Sequence, residues 1–243
     1  MTPNEYNTII SCYDKESSLS ETLKKFSYSE NIEIRKFVAS NTKTPKDILS
    51  RLANDNEIDI RMCVAYNTNT PIDVIYYLAN DKNVDVKRAV AGRHDLPLSV
   101  MAKLSTDEDT LVRSYIAEHT NSEELLDSLA DDWDYLVTWG VATNENVNPR
   151  TLKKLVETKI NPELFCSIAE NKKANSKILE LLFEKSTKPA NDEVVQRIIR
   201  NPNITIDILD RIIEDDSFSI QTILMAIDER QTQKTLGKLS SEF

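Results

Sequence analysis

The sequence predicts an all-α fold. It is expected to be a solenoid, a right-handed α-α superhelix of roughly eight helix-turn-helix units, each about 26 residues long. Three observations lead there. The string VASNTKTP at residues 38–45 returns as VAYNTNTP at 64–71. An apolar skeleton recurs at the same step. Glycine is scarce, with 3 in 243 residues. Tight β-hairpins and phosphate-cradling loops lean on glycine for positive φ, so both are disfavoured.

The units follow from an anchor residue. Asn41 and Asn67 open the register, which continues through Arg93, His119, Asn144, Asn171 and Asn201, with a weaker copy near Asp228. Upstream, LKKFSYSENIEI (23–34) aligns with LSRLANDNEIDI (49–60). Before the anchors stand Val38-Ala39, Val64-Ala65, Val90-Ala91, Ile116-Ala117 and Val141-Ala142. Four residues before each of these pairs is another apolar residue: Ile34, Ile60, Val86, Val112 and Val137. Spacing of i, i+4 is one stripe of a helix. After the anchors, Ile48, Leu49, Leu52 and Ala53 match Val74, Ile75, Leu78 and Ala79. Spacing of i, i+1, i+4, i+5 gives the second helix a broad apolar face.

Between the two helices, Thr44 and Thr70 are expected to act as N-caps, with Pro45 and Pro71 in the first helical position. Asp47 and Asp73 would close a capping box. Pro97, Pro149 and Pro162 mark other helix starts. The turns between units, such as NDNEID (54–59) and NDKNVD (80–85), supply Asn and Asp to cap the next first helix. Each unit reads as a short helix, a turn, a longer helix and another turn. The expected organisation is one continuous domain. An N-terminal cap covers 1–34, regular repeats 35–160, and degenerate repeats with a C-terminal cap 161–243. KSTKPANDE (185–193) reads as a loop inserted between units.

The composition is 40% hydrophobic and 29% charged, that of a soluble globular chain. No run of 18 apolar residues suggests a membrane span, and the first residues lack the basic and apolar regions of a secretory signal. Cys12, Cys63 and Cys166 are scattered and odd in number, without metal-ligand or disulfide spacing, which points to a reducing cytoplasm. The net charge is -10. That weighs against nucleic-acid binding, where a basic field supplies much of the affinity.

The recurring NTxTPxxxLxxLAxDxxxxVRxxVAxN-like string resembles the leucine-rich repeat variant, of the HEAT/armadillo-like superhelical group. The match is good from about residue 20 to residue 156 and degenerate afterwards. The resemblance implies the fold and no particular activity. Some members carry an N-terminal cysteine cluster for an iron–sulfur centre. Only Cys12 stands in that region here, so no cofactor is carried over.

No motif of catalysis or nucleotide binding is present: no HExxH, GxSxG, P-loop or GxGxxG. Catalytic, cofactor and metal residues are therefore expected to be none. Arg35, Arg61, Lys87 and Arg113 recur in register with Asp55, Asp81, Asp107 and Asp132. This pattern reads as a polar ladder between units rather than a phosphate stripe. His94 and His119, beside Asp95 and Glu118, fall in equivalent turns and read as substitutes for Asn. Cys63 and Cys166 read as small buried hydrophobes.

Residues that break the repeat carry more functional information. Ser50 and Arg51 become Tyr76 and Tyr77 one unit later. Met62 becomes Arg88, Ser114 and Trp139, and the turn residue Asn56 becomes Lys82, Glu108 and Trp133. The tryptophans either anchor a partner or cover irregular packing. The expected function is a non-catalytic protein-interaction module or scaffold. A partner with a basic surface would meet a concave face of second helices, through Tyr76, Tyr77, Lys103, Trp133, Trp139, Arg150 and Lys154. Two alternatives stand beside it. One is a HEAT-like DNA glycosylase or other nucleic-acid-binding repeat protein, with Trp133, Trp139 and Asp131 or Asp134 as its set. The other is an acidic inhibitor, immunity protein or DNA mimic.

Overall fold

The computed structural model describes residues 16–186 and 191–240. Cys12 and the centre of the KSTKPANDE segment lie outside the described residues. Among the described residues every regular element is an α-helix. Helix α1 (Glu16–Phe26) is the second helix of an opening unit. Four pairs follow: α2 (Ile32–Ser40) with α3 (Lys46–Leu52), α4 (Ile58–Tyr66) with α5 (Ile72–Leu78), α6 (Val84–Ala91) with α7 (Leu98–Leu104), and α8 (Thr110–His119) with α9 (Glu123–Leu129). Three more pairs are α10 (Tyr135–Thr143) with α11 (Pro149–Thr158), α12 (Pro162–Glu170) with α13 (Ser176–Ser186), and α14 (Asp192–Arg200) with α15 (Ile206–Glu214). Helix α16 (Ile220–Ser240) ends the series. Two compact units divide the chain, Met1–Ile116 and Ala117–Phe243.

The apolar skeleton forms the core in the expected register. Val38, Ala39, Val64, Ala65, Val90 and Ala91 are completely buried, as are Leu49, Leu52, Leu78 and Leu126. Burying one such leucine stabilises the fold by about 1.5–3 kcal/mol. In the N-terminal unit α2 packs on α4 and α4 on α6, while α3, α5 and α7 stand further apart. The Val-Ala pairs allow this close approach of the first helices. The first helices therefore form the more closely packed layer of this unit.

Two ladders of side chains connect the units. The first is built by the anchors. Asn67 Nδ2 donates to the carbonyls of Ala39 at 2.7 Å and Asn41 at 2.9 Å, in the unit before it. Its Oδ1 accepts from the Asn69 amide at 2.9 Å. Asn144, Asn171 and Asn201 repeat the arrangement, reaching back to Ala117, Ala142 and Ala169. Arg93 takes the same place with a guanidinium. Its Nη1 donates to Ala65 and Asn67 carbonyls, and Asp95 clamps the other side through two bonds of 2.7–2.8 Å. These bonds satisfy carbonyls that a helix end leaves without an intrahelical partner.

The second ladder is the Arg–Asp series. Arg35 grips Asp55, Arg61 grips Asp81, and Lys87 grips Asp107, each at 2.6–2.8 Å. Each aspartate also accepts an amide two residues on, at Glu57, Asn83 and Asp109. The Arg61 Nη1 group adds bonds to the carbonyls of Asp55 and Asn56. Structural pairing therefore occupies this series.

Several local expectations are corrected. Thr44 and Thr70 do not cap the second helices. Their hydroxyls turn back and donate to the Val38 and Val64 carbonyls at 2.6 Å. Pro45 and Pro71 occupy the cap position with extended ψ, and no side chain closes a box there. The expected pattern does hold later. Pro149 and Pro162 open α11 and α12, with Asn148 and Asn161 as N-caps. In the regular units the second helix is the shorter one, with 7 residues in α3, α5 and α7. A Pro with extended ψ precedes its start, and a polar turn ends it. Asp228 lies inside α16 rather than at a turn. Cys63 and Cys166 are half-buried rather than fully enclosed, and burial pushes the Cys166 thiol up from its ordinary value.

Candidate interaction surfaces

In the N-terminal unit Tyr76 and Tyr77 stand on consecutive positions of α5. Tyr76 is 37% exposed and Tyr77 is 53% exposed. The Tyr76 hydroxyl meets the Ser99 hydroxyl on α7, so this ring bridges two second helices. Around it, Ile72 is 50% and Leu98 55% exposed. Both occupy the first position of their helices, and Ala102, one turn beyond Leu98, is also exposed. The equivalent residues on α3 are Lys46 and Ser50. An apolar patch thus replaces polar residues on two successive units. Lys103 is exposed beside it on α7. Sequence reasoning found Tyr76 but missed Ile72 and Leu98. Their position matches Lys46 in the repeat, which was the available signal.

Tyr77 forms one wall of a cavity of about 390 Å³ between successive turns, lined also by Asn54, Asn56, Asn80, Lys82 and the Arg61–Asp81 pair. Burial raises the Asp81 carboxyl, but the Arg61 guanidinium and the Asn83 amide outweigh that and hold it below the usual range. Asp55 behaves alike beside Arg35. One unit earlier the corresponding gap holds Arg51, whose guanidinium stacks 4.0 Å from the centre of the Tyr28 ring.

In the C-terminal unit the candidates separate. Trp133 is 81% exposed at the tip of the α9–α10 turn. Trp139 is half-buried on α10, and Arg150 is exposed on α11. Lys154 is engaged within the stack, donating to Asp131 at 2.9 Å and to the Asp127 carbonyl at 2.7 Å. Asp134 caps α10 through the Leu136 amide at 2.9 Å. The two carboxylates offered for a glycosylase-like set, Asp131 and Asp134, therefore hold structural bonds. His94 is exposed, and its neighbour Asp95 is clamped to Arg93. The Arg93 guanidinium holds the Asp95 carboxyl below its usual range. Among the described residues no group of three His, Cys, Asp or Glu side chains is placed to hold a metal ion. No helix there is long and apolar enough to cross a membrane.

Stacked helix pairs joined by side-chain ladders define a helical repeat protein. The structure is similar to that of a leucine-rich repeat variant described as having a novel repetitive protein structural motif. The TM-score is 0.68 at 20% identity, over 88% of this chain and 85% of that one. The sequence comparisons add no assignment, since no family model and no curated protein matches.

Proposed function

We propose that this chain is a non-catalytic protein-binding module of the helical-repeat type. The observation that carries the reading is the Ile72–Tyr76–Leu98 patch, where exposed apolar side chains replace the polar residues of the preceding unit. Residues that serve the stack recur with it. Ile206 repeats the Ile72 and Leu98 position, but the Tyr76 position holds Ser50, Ala102 and Asp210 elsewhere. An apolar surface built on such a departure and rimmed by polar groups marks a docking surface. Tyr76 is its anchor, with Tyr77 and Lys103 at the rim. The net charge of -10 favours a partner with a basic surface. A reducing, cytoplasmic setting fits the scattered cysteines.

The test is affinity capture from native host extract, comparing wild type with the triple variant I72S/Y76S/L98S by quantitative mass spectrometry. Circular dichroism first establishes that the variant is folded. The reading expects basic proteins that wild type retains and the variant loses. Equal retention by both would refute it. An unfolded variant would assign the three side chains to the core and refute it as well.

A further inference from the structure

The two most exposed large apolar side chains of the described residues lie in adjacent turns of the C-terminal unit. Trp133, at 81%, tips the α9–α10 turn, and Ile160, at 92%, tips the α11–α12 turn. Lys159 ties the turns together, donating from Nζ to the Asp132 carbonyl at 2.7 Å. The turns that carry Trp133 and Ile160 are therefore adjacent along one edge of the unit. Elsewhere in the repeat the Trp133 position holds Asn56, Lys82 and Glu108. Stacking therefore does not call for an apolar residue at the Trp133 position.

The surroundings of the pair are acidic. Asp131, Asp132, Asp134, Glu157 and Glu163 flank it, against Lys153, Lys154 and Lys159. The carboxylates outnumber the lysines five to three: Lys153 pairs with Glu157, Lys154 with Asp131, and Lys159 donates to the backbone. Glu163 is exposed and reaches the Tyr135 hydroxyl, whose ionisation is opposed first by burial and then by this carboxylate. The edge therefore offers apolar surface within an excess of negative charge.

We infer that the Trp133–Ile160 turn edge is a docking site for a basic, extended peptide segment, one that sets an apolar side chain on the two tips and Lys or Arg against the flanking carboxylates. Aromatic anchors at the centre of an interface carry most of its binding energy. Charge complementarity sets the choice of partner and the salt dependence. Trp can also receive the cationic head of a Lys or Arg on its ring face. This inference rests on different residues from the Ile72–Tyr76–Leu98 patch, and each can fail alone.

The probes are three synthetic peptides of equal length: alternating Lys and Leu, alternating Glu and Leu, and alternating Lys and Ser. Binding to the full chain is read by fluorescence anisotropy of a peptide label at low and moderate salt. Lys-Leu is expected to bind saturably, with Glu-Leu and Lys-Ser weaker by about tenfold or more. W133S and I160S should each weaken Lys-Leu binding by about tenfold, since a hot-spot truncation costs on that scale. Both sites are turn tips, and circular dichroism checks that the fold persists. Equal binding of Glu-Leu, no saturable binding of Lys-Leu, or Lys-Leu binding unchanged in both variants would each overturn the inference.

Discussion

Replacing Asn67 with alanine tests the ladder that joins the units. Asn67 is 3% exposed, and its side chain makes three hydrogen bonds. Two of them satisfy the Ala39 and Asn41 carbonyls of the preceding unit, and the third fixes the turn through the Asn69 amide. A net contribution of about 0.5–1.5 kcal/mol per bond gives about 2–4 kcal/mol for the set, because alanine leaves the buried Ala39 carbonyl without its donor, while Asn41 keeps only the Thr44 amide. Urea unfolding followed by far-UV circular dichroism measures the loss. Amide exchange of α2 and α4 should rise first, since these are the helices joined there. Asn67→Asp separates the roles of the two side-chain atoms. Aspartate keeps the acceptor for Asn69 but sets a carboxylate oxygen against two carbonyls, so at neutral pH it should cost at least as much as alanine. A loss under about 0.5 kcal/mol for N67A, or wild-type stability in N67D, would refute the donor role.

Arg93→Asn should be tolerated within about 1 kcal/mol, because asparagine restores the anchor of the other units; the same denaturation measurement checks it. Leu78→Ala should cost about 2–5 kcal/mol, as expected for a fully buried leucine, and a change under about 0.5 kcal/mol would place the second helix in another register. Stability should fall on acidification. Asp55 and Asp81 have folded-state carboxyls held below the ordinary value of 3.8, so their contribution is complete above that value and is lost as pH drops through the lower folded one. Replacing Arg61 with Met should flatten this acid limb of a pH-dependent denaturation series.

Much of the architecture is legible in the letters because it is repeated. Val38, Val64 and Val90 recur at one step, and all three are buried. The Arg61–Asp81 pairing also follows from register, since two series that advance together remain in contact. Thr44 shows where local reading fails. A Thr before a Pro looks like an N-cap, yet its hydroxyl bonds to Val38 behind it. The same short spacing permits both bonds, and the carbonyls left open at the end of α2 decide between them. Of the candidate surface residues, Tyr76 and Trp133 were visible as departures from the repeat. Ile160 was not, because its turn lies where the spacing of the units drifts.

The sequence by itself determined the helical class, the repeat and the buried stripe of each helix, since these depend on periodicity within a unit. Only the tertiary structure decided which layer packs more tightly, that Asn67 donates to carbonyls 26 and 28 residues earlier, that Tyr76 meets Ser99 on the next second helix, and that Lys159 ties its turn to the turn of Trp133. Those outcomes depend on the distance between neighbouring units. That distance is set by how the side chains of two helices interlock, and no spacing along one helix records it.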